Sequence, residues 1–462
     1  MSDFKNIYFV GIGGIGMSAL ARHFKALGYN VAGYDRTPTK LTNEIESEGI
    51  SITFDDNVES VQPIFRDKEQ TKVVFTPAIP ADNNILTFFR NGGFDVVKRS
   101  AMLGQLTSQA DAICIAGTHG KTTTSTLVAH ILRQSEFGCS AFLGGISNNY
   151  GTNYWSNTNS NFVVTEADEY DRSFLTLHPY ISLITAMDAD HLDVYGTKDE
   201  VVKAFKQYAS QTTVGGSLVC KLGLPISEQD IDEDVELFTY SATDTKADFY
   251  AFGIHLSADR YHFSISTPFG IVRDVMLGLP GRHNVENAVA AVALAMLAGA
   301  NEDDVRTALR TFTGNRRRFQ YHIEEKNFVL IDDYAHHPAE ISTMLTSVRE
   351  MYDKRKITVV FQPHLYTRTR DFAPEFAKAL SLADRILLLD IYPARELPIE
   401  GVNSQMLANL MPNADVQLTT KQTLIADILQ RPLDVLVMMG AGNIDAMVPE
   451  VEKELRQVID KQ

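Results

Sequence analysis

The chain has little of the chemistry that would crosslink it, bind a soft metal or carry it through a membrane. Its 462 residues include three cysteines, Cys114, Cys139 and Cys220, which are odd in number and far apart. That spacing indicates neither a disulfide framework nor a cysteine metal site. No apolar stretch approaches the ~20 residues of a membrane helix, and the first residues lack a signal-peptide pattern. We therefore expect a protein of the reducing cytoplasm with no membrane partner.

Positive charge is also scarce. The chain carries 42 Lys and Arg against 58 Asp and Glu, a formal net charge of 42 − 58 = −16. Long-range repulsion of polyanions argues against a general binder of nucleic acid. An anionic small ligand would need locally concentrated positive charge or a metal ion. At 462 residues the chain is also too long for one hydrophobic core, and three domains are a natural division.

Strand-like runs alternate with helix-like ones, which predicts an α/β protein with parallel sheets. An apolar strand enters a glycine-rich turn in three places, near residues 7–16, 112–121 and 434–443. Between 250 and 266 large apolar residues alternate instead, which indicates a small antiparallel sheet in the central domain. We place the domains at 1–107, 108–314 and 315–462.

The first glycine turn fits the pattern G-x-G-x-x-G with Gly11, Gly13, Gly14 and Gly16. Glycines allow a tight turn and close approach of the backbone to a phosphate at the start of a helix. Asp35 lies about 20 residues further on, where ribose-binding carboxylates occur in dinucleotide folds. Taken alone, the turn fits NAD or another pyrophosphate ligand equally well.

The second glycine turn is more specific. It comprises Gly117, Thr118, His119, Gly120, Lys121, Thr122 and Thr123, between a strand and a helix. Its backbone N–H groups would hold a β-phosphate, Lys121 would reach the β- and γ-phosphates, and Thr122 would bind Mg²⁺. A full P-loop has glycine where this chain has Ile115, so the loop is a shortened variant.

Carboxylates follow the next strand-like runs. Glu166, Asp168 and Glu169 come directly after the strand predicted at 163–165. Such a cluster would repel itself without a cation, and Mg²⁺ would remove that repulsion. His191, in the polar segment 188–193 after the strand predicted at 181–185, fits either a metal ligand or a capping residue. Further strands are expected at 357–361 and 385–389, and a buried helix at 287–298.

Seven segments occur in an order that resembles the Mur ligases from end to end. The segments are GTHGKTTT, EADEYDRSFL, DADHLDVYG, GRHNVENAVAA, NRRRF, DDYAHHPAEI and FQPHLYTRTRDF. The resemblance implies a Rossmann-like N-terminal domain that binds UDP, a central P-loop-type ATPase domain and a Rossmann-like C-terminal domain that binds the amino acid. It also implies that Gly11 to Gly16 hold a UDP diphosphate rather than NAD, with Asp35 near the uridine.

The same resemblance implies a role for individual residues. Lys121 matches the phosphate-binding lysine, Thr122 and Glu166 match Mg²⁺ ligands, and His191 matches the ligand of a second Mg²⁺. The remaining matches are Asn284 and Asn287 at the adenine of ATP, Arg318 and Asp333 closing over the nucleotide, and His336, His364 and Arg368 near the amino acid. Leu365 stands where the family often has arginine, so one expected contact with substrate is missing from the sequence.

The resemblance points to the alanine-adding branch, because Phe205 stands where later-adding ligases carry a carbamylated lysine. It implies ATP-dependent joining of L-alanine to the lactyl carboxylate of UDP-N-acetylmuramate through an acyl phosphate, in peptidoglycan synthesis. Three rivals stay open: a ligase that recycles an intact tripeptide, an NAD-dependent oxidoreductase and a non-catalytic nucleotide-binding regulator.

Overall fold

The computed structural model describes residues 4–188, 192–394 and 396–459. The chain forms two compact units. The first comprises Met1–Ile254, Phe263–Met276 and Glu286–Phe312, and the second comprises His255–His262, Leu277–Val285 and Thr313–Gln462. The domain boundaries at 107/108 and 314/315 remain a prediction.

The first sheet has five parallel strands in the order β3-β2-β1-β4-β5. Its elements are β1 Asn6–Val10, α1 Ile15–Ala26, β2 Asn30–Tyr34, α2 Lys40–Ser47, β3 Ser51–Thr53, β4 Thr71–Phe75, α3 Asn84–Asn91, β5 Asp95–Lys98 and α4 Arg99–Thr107. All five residues of β1 are buried, as expected for a central parallel strand covered on both faces. The strand order reverses beside β1, where ligands bind in open α/β sheets, and the first glycine turn follows that strand.

A second sheet has ten strands in the order β15-β14-β13-β12-β11-β10-β6-β9-β7-β8. Its elements before the long hairpins are β6 Asp111–Ala116, α5 Lys121–Gln134, β7 Ser140–Phe142, β8 Tyr154–Trp155, β9 Phe162–Glu166, β10 Ile181–Ile184, α6 Leu192–Tyr195, α7 Lys198–Ala209, β11 Ser217–Lys221 and β12 Glu236–Ser241. The central strand β6 pairs in parallel with β9 on one side and β10 on the other. The loops that follow these three strands therefore leave the same edge of the sheet.

The predicted antiparallel region is a meander of three long strands, β13 Phe249–Ser257, β14 Arg260–Thr267 and β15 Gly270–Leu277. Ala258 and Asp259 join the first two strands at φ +49° and +57°, and a two-residue connection of this kind forces the strands to run antiparallel. The meander continues the ten-stranded sheet, because β12 pairs in parallel with β13. Helices α8 His283–Leu297 and α9 Glu302–Thr311 follow it, and α8 confirms the predicted buried helix.

The third sheet has six strands in the order β16-β17-β21-β18-β19-β20. Its elements are β16 Gln320–Glu324, β17 Val329–Asp333, α10 Pro338–Met351, β18 Ile357–Phe361, α11 Tyr366–Asp371, α12 Ala373–Leu380, β19 Arg385–Leu388, α13 Ser404–Asn409, β20 Val416–Leu418, α14 Leu424–Leu429, β21 Val435–Met439 and α15 Val448–Ile459. Only β16 runs antiparallel to its neighbour. The α/β class with parallel sheets is therefore confirmed.

Two further observations concern the cysteines and the helices. Cys114, Cys139 and Cys220 are buried free thiols. No helix among the described residues is both long and apolar enough to cross a bilayer.

Candidate active site

The phosphate-type loop connects β6 to α5 and is tied to the end of β10. Gly117 and Gly120 have φ of +128° and +80°, a region that favours glycine. A Cβ at Gly117 would overlap the Thr185 hydroxyl. That hydroxyl shares its single hydrogen between the carbonyl oxygens of Ala116 and His119, so it ties the loop to the residue that follows β10.

The loop presents the N-terminus of α5. That helix begins at Lys121 without an acidic residue in its first turn, so its free N–H groups and positive dipole end favour an anion. A Cβ at Gly120 would lie 2.7 Å from Asn287 Oδ1 on α8, so the fold brings Asn287 to the loop. Asn284, on the same helix, is buried and donates from Nδ2 to the carbonyl oxygen of Pro280.

Lys121 is held by three hydrogen bonds. Its Nζ donates to both carboxylate oxygens of Glu169, at 2.8 and 2.7 Å, and to the carbonyl oxygen of Gly117 at 2.6 Å. Burial alone would lower the pKa of Lys121, but the neighbouring carboxylates, Glu169 above all, outweigh it and raise that pKa. The lysine is thus a fixed cation at the mouth of the loop.

Glu166 lies at the end of β9 beside α5. Its Oε1 accepts hydrogen bonds from the Gly144 backbone N–H at 3.0 Å and from the Ser125 hydroxyl at 3.3 Å. A Cβ at Gly144 would overlap both Glu166 oxygens, so glycine is required for this approach. Burial raises the pKa of Glu166, and Asp168 adds to that rise while Lys121 and the Thr122 hydroxyl act against it.

These oxygen atoms suit a hard divalent cation. Hydroxyl and carboxylate oxygens are the ligands that Mg²⁺ prefers, and Mg²⁺ typically takes few protein ligands beside substrate phosphates and water. A cation beside Glu166 would also relieve the repulsion from Asp168 that raises its pKa. Thr122 and Glu166 would be two such ligands, with substrate oxygens and water completing the coordination. No cluster of three or more His, Cys, Asp or Glu that could hold a metal occurs among the described residues. His191 lies outside the described residues.

Thr118 and His119 face Asp188, which follows β10. The Thr118 hydroxyl lies 3.4 Å from Asp188 Oδ2 and accepts from the Asp188 backbone N–H at 3.2 Å. His119 Nε2 is 3.3 Å from the same carboxylate. These contacts connect the phosphate-type loop to the segment that follows β10.

The first glycine turn joins β1 to α1. Gly11 has φ +90°, and the Gly13 backbone N–H donates to Asp35 Oδ2 at 2.8 Å. A Cβ at Gly13 would lie 2.9 Å from that oxygen. Asp35 therefore packs closely against the turn and stabilises it through this hydrogen bond. Gly14 is exposed, and a Cβ there would meet ordinary contacts only, at 3.6 Å or more.

A cavity of about 350 Å³ joins the two glycine turns within the first unit. Gly14, Gly16 and Arg99 line one part of it, and Lys121 and Glu166 line another, with Gly144 and Asp168 also among the lining residues. The fold therefore assembles residues predicted for two different ligands around one space.

In the second unit, Asp333 is the last residue of β17, and Arg318 comes shortly before β16, the antiparallel neighbour of that strand. Asp333 is buried, and its oxygens accept from the backbone N–H groups of Phe319 and Ala335, each at 2.7 Å. Burial raises its pKa, although Arg318 and these two hydrogen bonds act against the rise. The Arg318 guanidinium lies 5.2 Å from the centre of the Tyr334 ring. Asp333 thus orders the chain around it.

The residues predicted for the amino acid come together in the same unit. The rings of His336 and His364 are 6.0 Å apart, and Arg368 Nη1 is 3.4 Å from His364 Nδ1. Burial lowers the pKa of His336 and takes that of His364 to about 4, so both imidazoles are neutral at pH 7. Leu365, the residue after His364, has φ +72°, a strained conformation for leucine.

Comparison with known proteins assigns the family. Three family models match successive parts of the chain. The model of the "Mur ligase family, catalytic domain" matches residues 6–110, that of the "Mur ligase middle domain" matches 115–295, and that of the "Mur ligase, glutamate ligase domain" matches 317–442. The chain belongs to the Mur ligase family. The resemblance predicted from the seven segments is thereby confirmed.

Individual Mur ligases are similar over the whole chain. The UDP-N-acetylmuramate–L-alanine ligase of Porphyromonas gingivalis is 47% identical over 98% of this chain and 99% of its own length. The crystal structure of UDP-N-acetylmuramate-alanine ligase from Thermotoga maritima covers 99% of this chain and 100% of its own, with TM-score 0.82 and 27% identity. A murein peptide ligase of Psychrobacter arcticus, 22% identical, shares the fold with TM-score 0.68, covering 97% of this chain and 98% of its own.

The sequence did not predict the roles of three residues of this Mur ligase site. Glu169 was predicted only as part of an acidic cluster, yet it is the partner of Lys121. Arg99 and Gly144 were not predicted at all, although both line the cavity. The pair Gly144-Gly145 after β7 was an available signal, because glycine after a strand often marks a close approach. Phe205, which stands where later-adding ligases carry a carbamylated lysine, is a buried aromatic residue packed against Phe174.

Proposed function

We propose that this Mur ligase joins L-alanine to the lactyl carboxylate of UDP-N-acetylmuramate at the expense of ATP, as a step in peptidoglycan synthesis. The observation that carries the proposal is the cavity in which the first glycine turn faces Lys121 and Glu166. The 47% identity to an L-alanine ligase across both chains supports the choice of amino acid. The small-molecule partners are then UDP-N-acetylmuramate, L-alanine and ATP, and no nucleic acid is involved.

The first step would activate the carboxylate. A lactyl oxygen attacks the γ-phosphorus, the bond from that phosphorus to the bridging oxygen of ADP breaks, and an acyl phosphate forms. Both reactants are anions, so the fixed charge of Lys121 and the N–H groups at the start of α5 lower the repulsion as they approach. Thr122, Glu166 and His191 would hold two Mg²⁺ ions, which neutralise phosphate charge when bound.

The second step would form the amide. The alanine nitrogen attacks the carbonyl carbon, the carbon–oxygen bond to phosphate breaks, and the nitrogen loses a proton. His336 is a candidate acceptor for that proton because burial keeps its imidazole neutral. His364 and Arg368, beside it, would bind the amino acid. Asn284, Asn287, Arg318 and Asp333 would contact ATP.

Phosphate release across a panel of acceptors tests this function. We expect release only when ATP, Mg²⁺ and UDP-N-acetylmuramate are present together with L-alanine, with glycine and L-serine as close competitors. A protein that turns over with an intact tripeptide but not with L-alanine would be the recycling ligase. Turnover with neither would refute the ligase proposal, and ATP binding without turnover would favour the regulator.

The NAD alternative has a separate test. We expect no binding of NAD in equilibrium dialysis under conditions where UDP binds, because the family assignment leaves the oxidoreductase without support. Binding of NAD in competition with UDP would overturn that view of Gly11 to Gly16. We propose the cytoplasm as the compartment, because ATP and a UDP-linked substrate are available there.

A further inference from the structure

The hairpin formed by β7, β8 and the segment between them borders both parts of the cavity that joins the glycine turns. Ile15, at the start of α1, lines one part of the cavity, and Glu166 lines the other. Leu143 and Gly144, directly after β7, are lining residues as well. The chain then returns through residues 145–153 to β8, which pairs antiparallel with β7. The hairpin is therefore placed to contact α1 as well as Glu166.

Asn153, the last residue before β8, directs its side chain at α1. The side chain is fully buried. Its Nδ2 donates to the carbonyl oxygen of Ile15 at 2.6 Å and to the hydroxyl of Ser18 at 3.0 Å, and its Oδ1 accepts a hydrogen bond from Arg22 Nη1. Positions 15, 18 and 22 lie on one face of a helix. Both N–H donors and the carbonyl acceptor of the amide are therefore used by a single helix.

The backbone of Asn153 is bonded to the part of the hairpin that holds Glu166. Its carbonyl oxygen accepts from the Leu143 backbone N–H at 2.9 Å. The next N–H along the chain, that of Gly144, donates to Glu166 Oε1 at 3.0 Å. Asn153 thus connects the first turn of α1 to the backbone that holds the proposed Mg²⁺ ligand.

A second set of contacts joins the hairpin to the other end of α1. The Tyr154 hydroxyl lies 3.0 Å from His23 Nδ1. The His23 ring packs against those of Phe142 and Tyr154, with ring centroids 5.1 and 5.7 Å apart. These contacts do not involve Asn153, so the hairpin and the helix should stay packed when its side chain is removed. The removal would release only the end of α1 that follows the glycine turn.

We propose that Asn153 is a positioning residue for phosphoryl transfer. The inference rests on the proposed function, in which the first glycine turn holds the UDP end of one substrate while the phosphate loop and Glu166 hold ATP and Mg²⁺. The distance from the lactyl carboxylate to the γ-phosphorus then depends on the position of α1 relative to Glu166. Reacting atoms must approach to about 3–3.5 Å, and a misplacement of about 1 Å can cost about 10²-fold in rate. Because Asn153 is fully buried, it acts on this distance without contacting either substrate.

The test compares binding with turnover in Asn153→Ala. Calorimetry on the full chain gives the affinities of UDP and of Mg·ADP, each alone, and the number of Mg·ADP sites per chain. Phosphate release with ATP, UDP-N-acetylmuramate and L-alanine gives kcat, which is divided by that number of sites. We expect kcat per site to fall by roughly 10- to 100-fold, while both affinities change by less than about three-fold. A merely structural role would lower the number of sites and leave kcat per site unchanged.

Two further variants locate the effect. Tyr154→Phe removes the hydrogen bond to His23 and keeps the ring. It should change kcat per site by less than about two-fold, because the start of α1 keeps its position. Ser18→Ala removes one acceptor of Asn153 Nδ2 and leaves the other, the Ile15 carbonyl, so we expect a smaller loss than in Asn153→Ala. Because the two side chains act through one contact, the double variant should be no slower than Asn153→Ala alone.

Three results would overturn the proposal. A kcat per site in Asn153→Ala within about three-fold of wild type would remove its positioning role. An equal loss in Tyr154→Phe would assign the effect to the packing of the whole hairpin, and a fall in the affinity of UDP or Mg·ADP as large as the fall in kcat would assign it to binding. Failure of the proposed function has a different signature. In that case UDP and Mg·ADP would still bind, but the wild type itself would release no phosphate with any acceptor.

Discussion

Lys121 and Glu169 form a bidentate ion pair in which Nζ lies 2.8 and 2.7 Å from the two carboxylate oxygens. The Glu169 side chain is 2% exposed and that of Lys121 is 16% exposed. With the bond to the Gly117 carbonyl, all three N–H donors of the ammonium are used. A phosphate oxygen must therefore replace one of these acceptors. Glu169 thus fixes the position of the lysine, and the binding of phosphate must offset the free energy of the hydrogen bond that is lost.

The first prediction separates the structural and catalytic parts of this pair. Lys121→Met should abolish substrate-dependent phosphate release, with a loss of at least about 10²-fold. It should also lower the free energy of unfolding by about 3–5 kcal/mol, because Glu169 is left buried and charged. In the double variant with Glu169→Gln, urea denaturation should show most of that free energy restored while activity stays absent.

The comparison with Glu169→Gln alone completes this cycle. That variant keeps the lysine but replaces one of the two acceptor oxygens by an amide NH2 group, which frees one lysine donor, so it should bind ADP more tightly than wild type. If the double variant were no more stable than Lys121→Met, the pair would not account for the stability loss. If Lys121→Met turned over at the wild-type rate, the assignment of the phosphate loop would be wrong.

The second prediction concerns Gly144. A Cβ there would overlap both oxygens of Glu166, so Gly144→Ala should displace that carboxylate and raise the Mg²⁺ concentration needed for half-maximal activity by roughly 10-fold or more. Gly215→Ala is the control, because Gly215 has φ +77° with open space around it. The control should lose stability without any change in Mg²⁺ dependence, and an equal shift in both variants would contradict the prediction.

The third prediction is a pH dependence of stability that originates at Asp332. This residue is buried, with Arg317 Nε at 3.7 Å and His322 Nε2 at 4.0 Å. Burial raises its pKa to about 7, and Asp333 and Asp445 add to that rise while Arg317 opposes it. A carboxyl whose folded pKa is raised contributes stability at low pH that is lost as the pH rises.

The loss should occur between pH 4 and 7, from the ordinary pKa of 3.8 to the raised one. Asp332→Asn should remove this dependence. At pH 8 its free energy of unfolding, measured by urea denaturation, should exceed that of wild type by roughly 2–4 kcal/mol. Asp353→Asn, at an exposed site, should retain the wild-type pH profile. A wild-type stability that does not change from pH 4 to 7 would rule out a titrating Asp332.

The fourth prediction concerns His336. Because burial holds its pKa below the ordinary value of 6.5, it should accept a proton at pH 7 and lose this capacity only in acid. His336→Gln should lower kcat/KM for L-alanine by roughly 10²-fold and remove the acidic limb of its pH profile. His178→Gln, at an exposed site, is the control. An acidic limb that persists in His336→Gln would exclude the histidine as the base.

The local pattern of the sequence was sufficient for the elements and the family. Gly117 and Gly120 were predictable because a strand, two glycines, a lysine and a helix follow one another within one short segment, and turn geometry depends on such local order. The parallel sheets followed from buried strands alternating with helices. The antiparallel strands followed from the period-two alternation between residues 250 and 266.

Only the tertiary structure decided which carboxylate meets which cation. Glu166, Asp168 and Glu169 are nearly adjacent in sequence, but they contact Gly144, Arg99 and Lys121 respectively. Those partners are 22 to 69 residues away in the chain, and their positions depend on strand order and on the course of each loop. No short-range pattern encodes such distances, so the sequence determined which groups are available, and the packing of the sheets determined how they are paired.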